Sequence, residues 1–423
     1  MDDGSSPKTS RMKFKGLLIV GIFLLALFVR FYNFGERITF GPEQAISLIS
    51  AAENLEKPSL LGIPYLLRQT ASGFQLFTAP LFGYSLIPLI LLFNYDPIAI
   101  TGFFVFLNVF TGLLVFLVSK EIFDEKAAFF SVILFLFSSH MVYHSLFIWT
   151  SNYMPLIGVL TIYGIYKYKK RQTNSWPFAL GVLTGVGFGI QYFYLLAGLL
   201  VLLVVLKASK KRIIHGSYFL LGILVGELPT VLFDLRHNFY HLKTLWSYFV
   251  ETLKYPGQSQ LSYYHFLVFW PLLAIFFGLV FSKIFTKNKL ASLAILAIFI
   301  YLNLNSSLVS FKNAVGMPPG LTAKKILSAS ESISRDNPEN FNLSVLMDFD
   351  FRGYVLRYPL KYLYNRSPLA VEDYPNAEVI YVLSRKNYDF SQPGVWELRS
   401  FLPYKVVLLT EIDDNYGVYK LKK

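Results

Sequence analysis

Long apolar runs recur through the first three quarters of this 423-residue chain and are absent from the last quarter. Most of them approach the roughly 20 residues that a helix needs to cross the hydrocarbon core of a bilayer. A spanning segment must satisfy its own backbone hydrogen bonds, so these runs are predicted to be helices. Charged residues make up only 15% of the chain. The sequence therefore predicts a mainly α-helical, multi-pass membrane protein.

Window hydropathy and the distribution of charge together predict a topology. The net charge is +13, and the segments predicted to lie on one side of the membrane carry +12 of it, mostly at 167–171, 207–212 and 283–289. Basic loops remain in the cytoplasm, so the N-terminus is predicted to be cytoplasmic and the C-terminus extracytoplasmic, in the cell (inner or cytoplasmic) membrane. This topology explains the excess of basic over acidic residues, so no nucleic-acid partner is needed to account for it. About nine spans are predicted, at 14–34, 98–118, 127–147, 153–168, 177–190, 192–206, 213–233, 264–282 and 289–307.

The regions outside the spans divide the chain into two predicted domains. Residues 1–307 form the helical membrane domain, with a long outer loop at 35–97 and a second one at 234–263. The long loop contains an amphipathic stretch at 43–55 and an apolar segment at 74–93, predicted to be an interfacial helix. Residues 308–423 are predicted to be a small extracytoplasmic α/β domain. Its strands are expected at 343–349, 379–383, 405–409 and 417–421, and its helices at 323–335 and 353–364.

Glu43 is the first polar residue of interest, because the segment FGPEQA at 40–45 follows the first span directly. Pro42 and Glu43 suit the first turn of a helix, where a carboxylate is stabilised by the helix dipole. A functional interpretation makes Glu43 a general base, placed where a membrane-bound substrate would meet an outer one. The residues alone leave both interpretations open.

The segment FDLRHNF at 233–239 places Asp234, Arg236 and His237 at the predicted outer interface. Arginine offers forked donors that match a lipid phosphate, although an interfacial anchor with an internal salt bridge explains the segment equally well. Glu227 lies inside the seventh predicted span, and an acid there is either functional or a helix-end group beside Pro229.

A third polar segment, at 140–153, carries two histidines one helical turn apart. His140 and His144 have the spacing of metal ligands, but no acid is near them in sequence, which favours packing. Trp149 suits an interfacial aromatic belt, and Gln191 suits polar packing at a turn between two spans.

Phosphate-binding glycine loops, nucleophile elbows and cysteine motifs are all missing from the sequence. A nucleotide-driven pump and a common hydrolase are therefore disfavoured.

In this order, these segments resemble the GT-C glycosyltransferases, over roughly residues 14–310. The likeness is to glycosyltransferase family 39, the bacterial branch of the protein O-mannosyltransferase and lipid A aminoarabinose transferase group. FGPEQA has the position of the family's acidic motif, with Glu43–Gln44 in place of an acidic pair. The other matching segments are PSLLGIPY at 58–65, GFQLFTAP at 73–80, NYDPIAI at 94–100, IWTSN at 148–152 and PTVLFDLRHNF at 229–239.

The resemblance implies an inverting transfer of a hexose or pentose from a polyprenyl-phosphate donor to an acceptor hydroxyl on the extracytoplasmic face. The acceptor would be a lipid, a glycan or a protein, and membrane lipids would surround the enzyme. Glu43 would be the catalytic base, and Gln44, Trp149, Asn152, Gln191, Glu227 and Asp234 would line the substrate cavity. Arg236 and His237, and more weakly Lys57 and Arg68, would bind the donor phosphate. No cofactor is required, although a divalent metal ion would be compatible.

Two other classes of function remain open from the sequence. A lipid-linked sugar flippase or transporter would place ionisable groups near the middle of the membrane and often has repeated halves, whereas the polar groups here cluster at one face. A non-catalytic membrane scaffold would need neither ionisable groups within the membrane nor repeated halves. The single carboxylate of the acidic motif keeps this possibility open.

Overall fold

Helices dominate the protein, as the sequence predicts. The computed structural model describes residues 7–69, 73, 75–78, 80–254, 262–336, 339–347 and 350–423, with the backbone alone at 7–15 and 64–69. Short 3-10 helices cover Thr150–Tyr153 and Tyr263–Phe269, and strand β1 (Pro64–Gln69) pairs antiparallel with β2 (Gln75–Phe77). The α-helices up to residue 304 are α1 (Pro7–Phe31), α2 (Phe34–Arg37), α3 (Pro42–Glu56), α4 (Pro80–Leu92), α5 (Pro97–Ile122), α6 (Glu125–Leu136), α7 (Ser139–His144), α8 (Met154–Lys170), α9 (Ser175–Phe188), α10 (Tyr194–Ala208), α11 (Arg212–Gly226), α12 (Leu228–Arg236), α13 (Tyr240–Lys254), α14 (Trp270–Lys287) and α15 (Lys289–Leu304).

The predicted spans coincide with helices, but the number of spans is not confirmed. Within the described residues, two helical segments have the length and composition to cross a membrane, Pro97–Ile122 and Tyr263–Lys287. A third is added if the bent pair α11 and α12 is counted as one span. The shorter apolar helices, such as α9 and α10, have 10–17 residues.

The third predicted span is broken rather than continuous. Helix α6 has 12 residues and rises about 18 Å, which is short of a bilayer core of about 30 Å. The break lies at Phe137 and Ser138, between α6 and α7, and distant side chains bind Ser138 and the first residue of α7. Trp270 Nε1 donates to Ser138 Oγ at 3.0 Å, and the backbone amide of Ser139 donates to Asn303 Oδ1 at 2.8 Å.

The seventh predicted span is bent by 80° at Glu227, between α11 and α12. Pro229 explains the bend, because its ring removes a backbone donor and clashes with the carbonyl four residues earlier. The predicted interfacial helix at 74–93 is also shorter than expected. It begins at Pro80 as α4, since residues 75–77 form β2, while positions 74 and 79 lie outside the described residues.

Glycines bring α9 and α11 into backbone contact. Gly181 and Gly185 on α9 face Gly222 and Gly226 on α11, with the four-residue spacing of a close-packed membrane helix pair. A Cβ on Gly185 would lie 2.4 Å from the carbonyl oxygen of Ile223. No larger residue fits at this position without moving a helix.

The C-terminal region is an α/β unit, as predicted. Its one sheet has the strand order β3 (Phe341–Val345), β4 (Val379–Arg385), β6 (Tyr416–Lys422) and β5 (Lys405–Glu411). Strand β3 is parallel to β4, and the remaining pairs are antiparallel. Strand β3 begins two residues earlier than predicted, and positions 348 and 349 of that prediction lie outside the described residues. The helices of this unit are α16 (Ala323–Arg335), α17 (Tyr354–Tyr362) and α18 (Trp396–Arg399).

The α/β unit is packed directly onto the helical part of the chain. Residues of both regions, among them Phe40 and Tyr358, belong to one buried apolar cluster. The hydroxyl of Tyr358 donates to the carbonyl oxygen of Tyr95 at 2.8 Å, and the ring of Tyr95 stacks on Tyr362 at 5.4 Å. These contacts hold the unit against α3 and the turn before α5.

Candidate active site

Glu43 lies in the first turn of α3, as the sequence predicts. Gly41 is the N-cap residue and Pro42 occupies the first helical position. The side-chain oxygen of Gln44 accepts a hydrogen bond from the Gly41 amide at 2.9 Å, which closes the helix start. The side chain of Glu43 is exposed, at the positive end of the helix dipole, where a negative charge is stabilised.

The structure brings the FGPEQA and IWTSN segments together, although about 100 residues separate them. The Thr39 amide donates to the carbonyl oxygen of Leu146 at 3.0 Å, and Gln44 Nε2 approaches the carbonyl oxygen of Ile148 at 3.4 Å. Asn152 is buried and supports this loop from within, because its side-chain amide donates to the Phe147 carbonyl oxygen. Gln44 and Asn152 therefore shape the surroundings of Glu43 through the backbone.

Aromatic side chains surround this junction. Tyr143, on α7, lies close enough to the Glu43 carboxylate for the two groups to interact electrostatically. It interacts in the same way with Tyr263. Trp149 is half-buried, and its ring meets that of Tyr264 edge to face with centroids 6.4 Å apart. The sequence interpretation did not select these tyrosines, because nothing local distinguishes them from other aromatics of a membrane protein.

The two histidines of this region are packed among rings. The His140 ring lies 4.6 Å from that of Tyr263 and 4.8 Å from that of Trp270. His144 is buried, and its Nδ1 lies 3.2 Å from Asn152 Oδ1. Among the described residues, no group of three or more potential ligand side chains could hold a metal ion. Packing is the role that these contacts support.

A second polar region is an open cleft of about 510 Å³ at the start of α13. Arg236 and His237 are exposed on it, and the His237 ring stacks on Phe233 with centroids 4.1 Å apart. The remaining lining is largely apolar. The cleft residues are Leu61, Phe77, Phe233, Arg236, His237, Asn238 and Tyr240.

Asp234 is engaged inside the protein beneath this cleft. Its two carboxylate oxygens accept hydrogen bonds from the amides of His241 and Leu242, at 2.7 and 3.0 Å, and so cap the N-terminus of α13. His241 Nε2 lies 2.8 Å from the Tyr192 hydroxyl, which also contacts the carbonyl oxygen of Phe77 at 3.0 Å. Burial lowers the pKa of His241, although the nearby charge of Asp234 acts in the opposite direction.

Glu227 and Gln191 are both buried. Glu227 is buried at the bend, where its Oε1 accepts a hydrogen bond from the Thr230 hydroxyl at 2.7 Å. Its Oε2 faces the Cα of Gly189, two residues before Gln191. Within the described residues, Oε2 of Glu227 and Oε1 of Gln191 are buried without a hydrogen-bond partner.

The cationic candidates do not gather at Glu43 in the described residues. Lys57 follows α3 at its far end, which is roughly 21 Å from Glu43 by helical rise. Arg236 shares its cleft with Leu61, which also lies beyond that end of α3. The backbone of Arg68 belongs to β1, but its side chain lies outside the described residues.

Comparisons with known proteins show what this chain is similar to. Residues 78–232 match the family model described as dolichyl-phosphate-mannose-protein mannosyltransferase. This match and the similarity of the fold to solved structures agree with the resemblance to the GT-C glycosyltransferases. A search of curated proteins found no match by sequence.

The solved structures extend this similarity along the chain. ArnT from Cupriavidus metallidurans bound to undecaprenyl phosphate has a TM-score of 0.60 at 13% identity, covering 95% of this chain and 98% of that one. The same protein in the apo state gives 0.54 at 13% identity, covering 96% and 98%. The oligosaccharyltransferase of Archaeoglobus fulgidus, in complex with zinc and sulfate, gives 0.46 at 11% identity, covering 86% and 67%.

Proposed function

We propose that this protein transfers a sugar from a polyprenyl-phosphate donor to an acceptor hydroxyl, with inversion at the anomeric carbon. The similarity of fold to ArnT, solved with undecaprenyl phosphate, supports a lipid-linked donor. The exposed carboxylate of Glu43, at the junction of two motif segments, is the single observation that carries the reaction. The sugar is a hexose, such as mannose, or a pentose.

In the proposed reaction, Glu43 takes the proton of the acceptor hydroxyl while its oxygen attacks the anomeric carbon. The bond from this carbon to the phosphate oxygen breaks, and the lipid phosphate leaves with the electron pair. Since the helix dipole stabilises negative charge in the first turn of α3, the base is available as a carboxylate. The leaving group supplies the driving force, so the reaction requires no nucleotide.

Arg236 and His237 are proposed to bind the donor phosphate. Their cleft supports this role, because exposed cationic and imidazole groups adjoin apolar walls that suit a polyprenyl chain. The phosphate oxygen is bonded directly to the anomeric carbon, so this role requires the cleft and Glu43 to lie within about the length of one sugar of each other when the donor is bound. Lys57 and Arg68 are the alternative phosphate ligands.

The topology and domain division are proposals of the same kind. Nine spans, a cytoplasmic N-terminus and an extracytoplasmic catalytic face agree with the one-sided basic loops. The division between residues 1–307 and 308–423 agrees with the separate sheet of the C-terminal unit, although the apolar cluster continues across it.

Glu43→Gln tests the proposed base. The variant should fold normally and reduce the rate constant for transfer by about 10²- to 10⁴-fold, the usual contribution of a general base. Transfer of a labelled sugar from a synthetic polyprenyl-phosphate sugar is measured with purified full-length protein in liposomes.

Glu56→Gln is the matched control, because it makes the same change at an exposed position near the far end of α3. Its rate should equal that of the unmodified protein. Normal transfer by Glu43→Gln would eliminate Glu43 as the base, and equal losses in both variants would indicate a general effect on α3.

A further inference from the structure

Helix α13 exposes a continuous apolar stripe. Leu242, Trp246, Phe249 and Leu253 recur at intervals of four, three and four residues, which places them on one face of the helix. Between 52% and 66% of each of these side chains is exposed. A surface helix of a soluble protein has the opposite arrangement, because its apolar face is the buried one.

The face of α13 that turns toward the protein is polar. His241 and Thr244 are buried there, and His241 contacts the Tyr192 hydroxyl. At about 100° per residue, these two positions lie nearly opposite the apolar stripe. Lys243 and Lys254 project from a third flank, between the buried and apolar faces. The helix therefore has three surfaces: polar and inward, apolar and outward, and cationic to the side.

Exposed apolar side chains also lie on the bent pair that precedes α13. Leu228, Leu232 and Leu235 on α12 are exposed, and Phe239 follows them before α13 begins. Helices α11 and α12 together meet the length and composition of a broken membrane span. The stripe of α13 thus follows a candidate membrane span along the chain, and its flanking lysines suit the headgroups of anionic lipids.

We propose that α13 lies in the membrane interface, with its stripe embedded in one leaflet and its lysine flank at the headgroups. This inference is independent of the proposed reaction. The inward face ties the helix to the hairpin of β1 and β2, because the Gln75 amide donates to the Tyr240 hydroxyl at 3.1 Å. The membrane surface therefore sets the height of the Arg236 cleft, which Tyr240 also lines.

Site-directed spin labels test this placement directly, because the chain contains no cysteine and needs no background substitutions. Single cysteines replace Leu242, Phe249 and Leu253 on the stripe, or Lys243 and Lys254 on the flank. Each full-length variant is labelled in liposomes of phosphatidylcholine and phosphatidylglycerol. Relaxation by oxygen, which concentrates in lipid, is compared with relaxation by a water-soluble nickel chelate.

The stripe labels should relax with oxygen and resist the nickel chelate, at a depth of roughly 5–10 Å below the headgroups. The flank labels should show the reverse preference. The proposal is overturned if both sets are equally accessible to the nickel chelate, since α13 would then be in water. It is also overturned if the stripe labels respond to neither reagent, because a protein partner or a second copy would then cover them.

Discussion

Asp234→Ala should loosen the start of α13 without unfolding the rest of the protein. The two oxygens of this buried carboxylate hold the amides of His241 and Leu242. Alanine offers no acceptor, so both amides lose their partner. Hydrogen bonds to a charged group contribute about 1.5–3 kcal/mol each, while whole N-caps are worth about 0.5–2 kcal/mol. We take about 2 kcal/mol for this buried cap, which makes local opening roughly 30-fold more frequent.

Hydrogen exchange resolved to peptides measures this opening in the full-length protein. The amides of His241 and Leu242 should exchange roughly 30-fold faster in Asp234→Ala, and Asp234→Asn should give a smaller increase because one acceptor oxygen remains. Asp124→Ala is the matched control. It removes the cap of α6, where Asp124 accepts from the Ala127 amide at 2.7 Å, and should leave α13 unchanged.

The cap interpretation also separates Asp234 from its predicted role in the substrate cavity. If exchange at α13 were unchanged in Asp234→Ala while the KM for donor rose, the carboxylate would act on substrate and the structural reasoning would be refuted.

Two further substitutions test the donor site and the helix packing. Arg236→Ala should raise the KM for the polyprenyl-phosphate sugar by about tenfold or more, from the loss of a charge-assisted hydrogen bond, and an unchanged KM would give the cleft another role. Gly185→Leu should separate α9 from α11 and lower the thermal stability of the purified protein, since even a Cβ would lie 2.4 Å from the Ile223 carbonyl oxygen. Gly21→Ala, where nothing lies within 4 Å of the added Cβ, is its control and should be neutral. Equal stability of the two glycine variants would contradict the close-packing interpretation.

Local signals in the sequence predicted the elements that depend on local chemistry. Helix α16 has the predicted bounds, and α3 begins at Pro42, one residue before the predicted stretch at 43–55, because proline suits the first helical position. The strands of the C-terminal sheet were visible from short β-branched and aromatic runs.

Features that depend on distant partners were not predictable in this way. The break after α6 depends on Trp270 and Asn303, which are more than 130 residues away. The residues of β1 and β2 also lack the clear alternation of apolar and polar side chains that would have predicted these strands and their pairing. In contrast, the spacing of Gly181 with Gly185 and of Gly222 with Gly226 is a recognisable signal, and it indicates close helix contact without structural information.

The candidate site shows the same limit. The position of Glu43 at a helix start follows from Pro42 and Gln44, but its proximity to Tyr143 follows from long-range folding. The sequence grouped Asp234, Arg236 and His237 because they are adjacent. In the structure Asp234 turns inward to cap α13, whereas its neighbours face the cleft.

The contacts that Arg37 and Thr39 of the first loop make with residues 310–315 impose an order on biosynthesis. Arg37 Nε donates to the carbonyl oxygen of Ser310 at 2.5 Å, and the Thr39 hydroxyl donates to that of Val315 at 2.6 Å. Ribosomes add about 5–20 residues per second, so the first loop emerges tens of seconds before these partners exist. Helices α3 to α15 are therefore synthesised before the segment that carries Glu43 can form these contacts. A truncated or stalled chain would therefore carry the proposed catalytic residue without the contacts that fix its position.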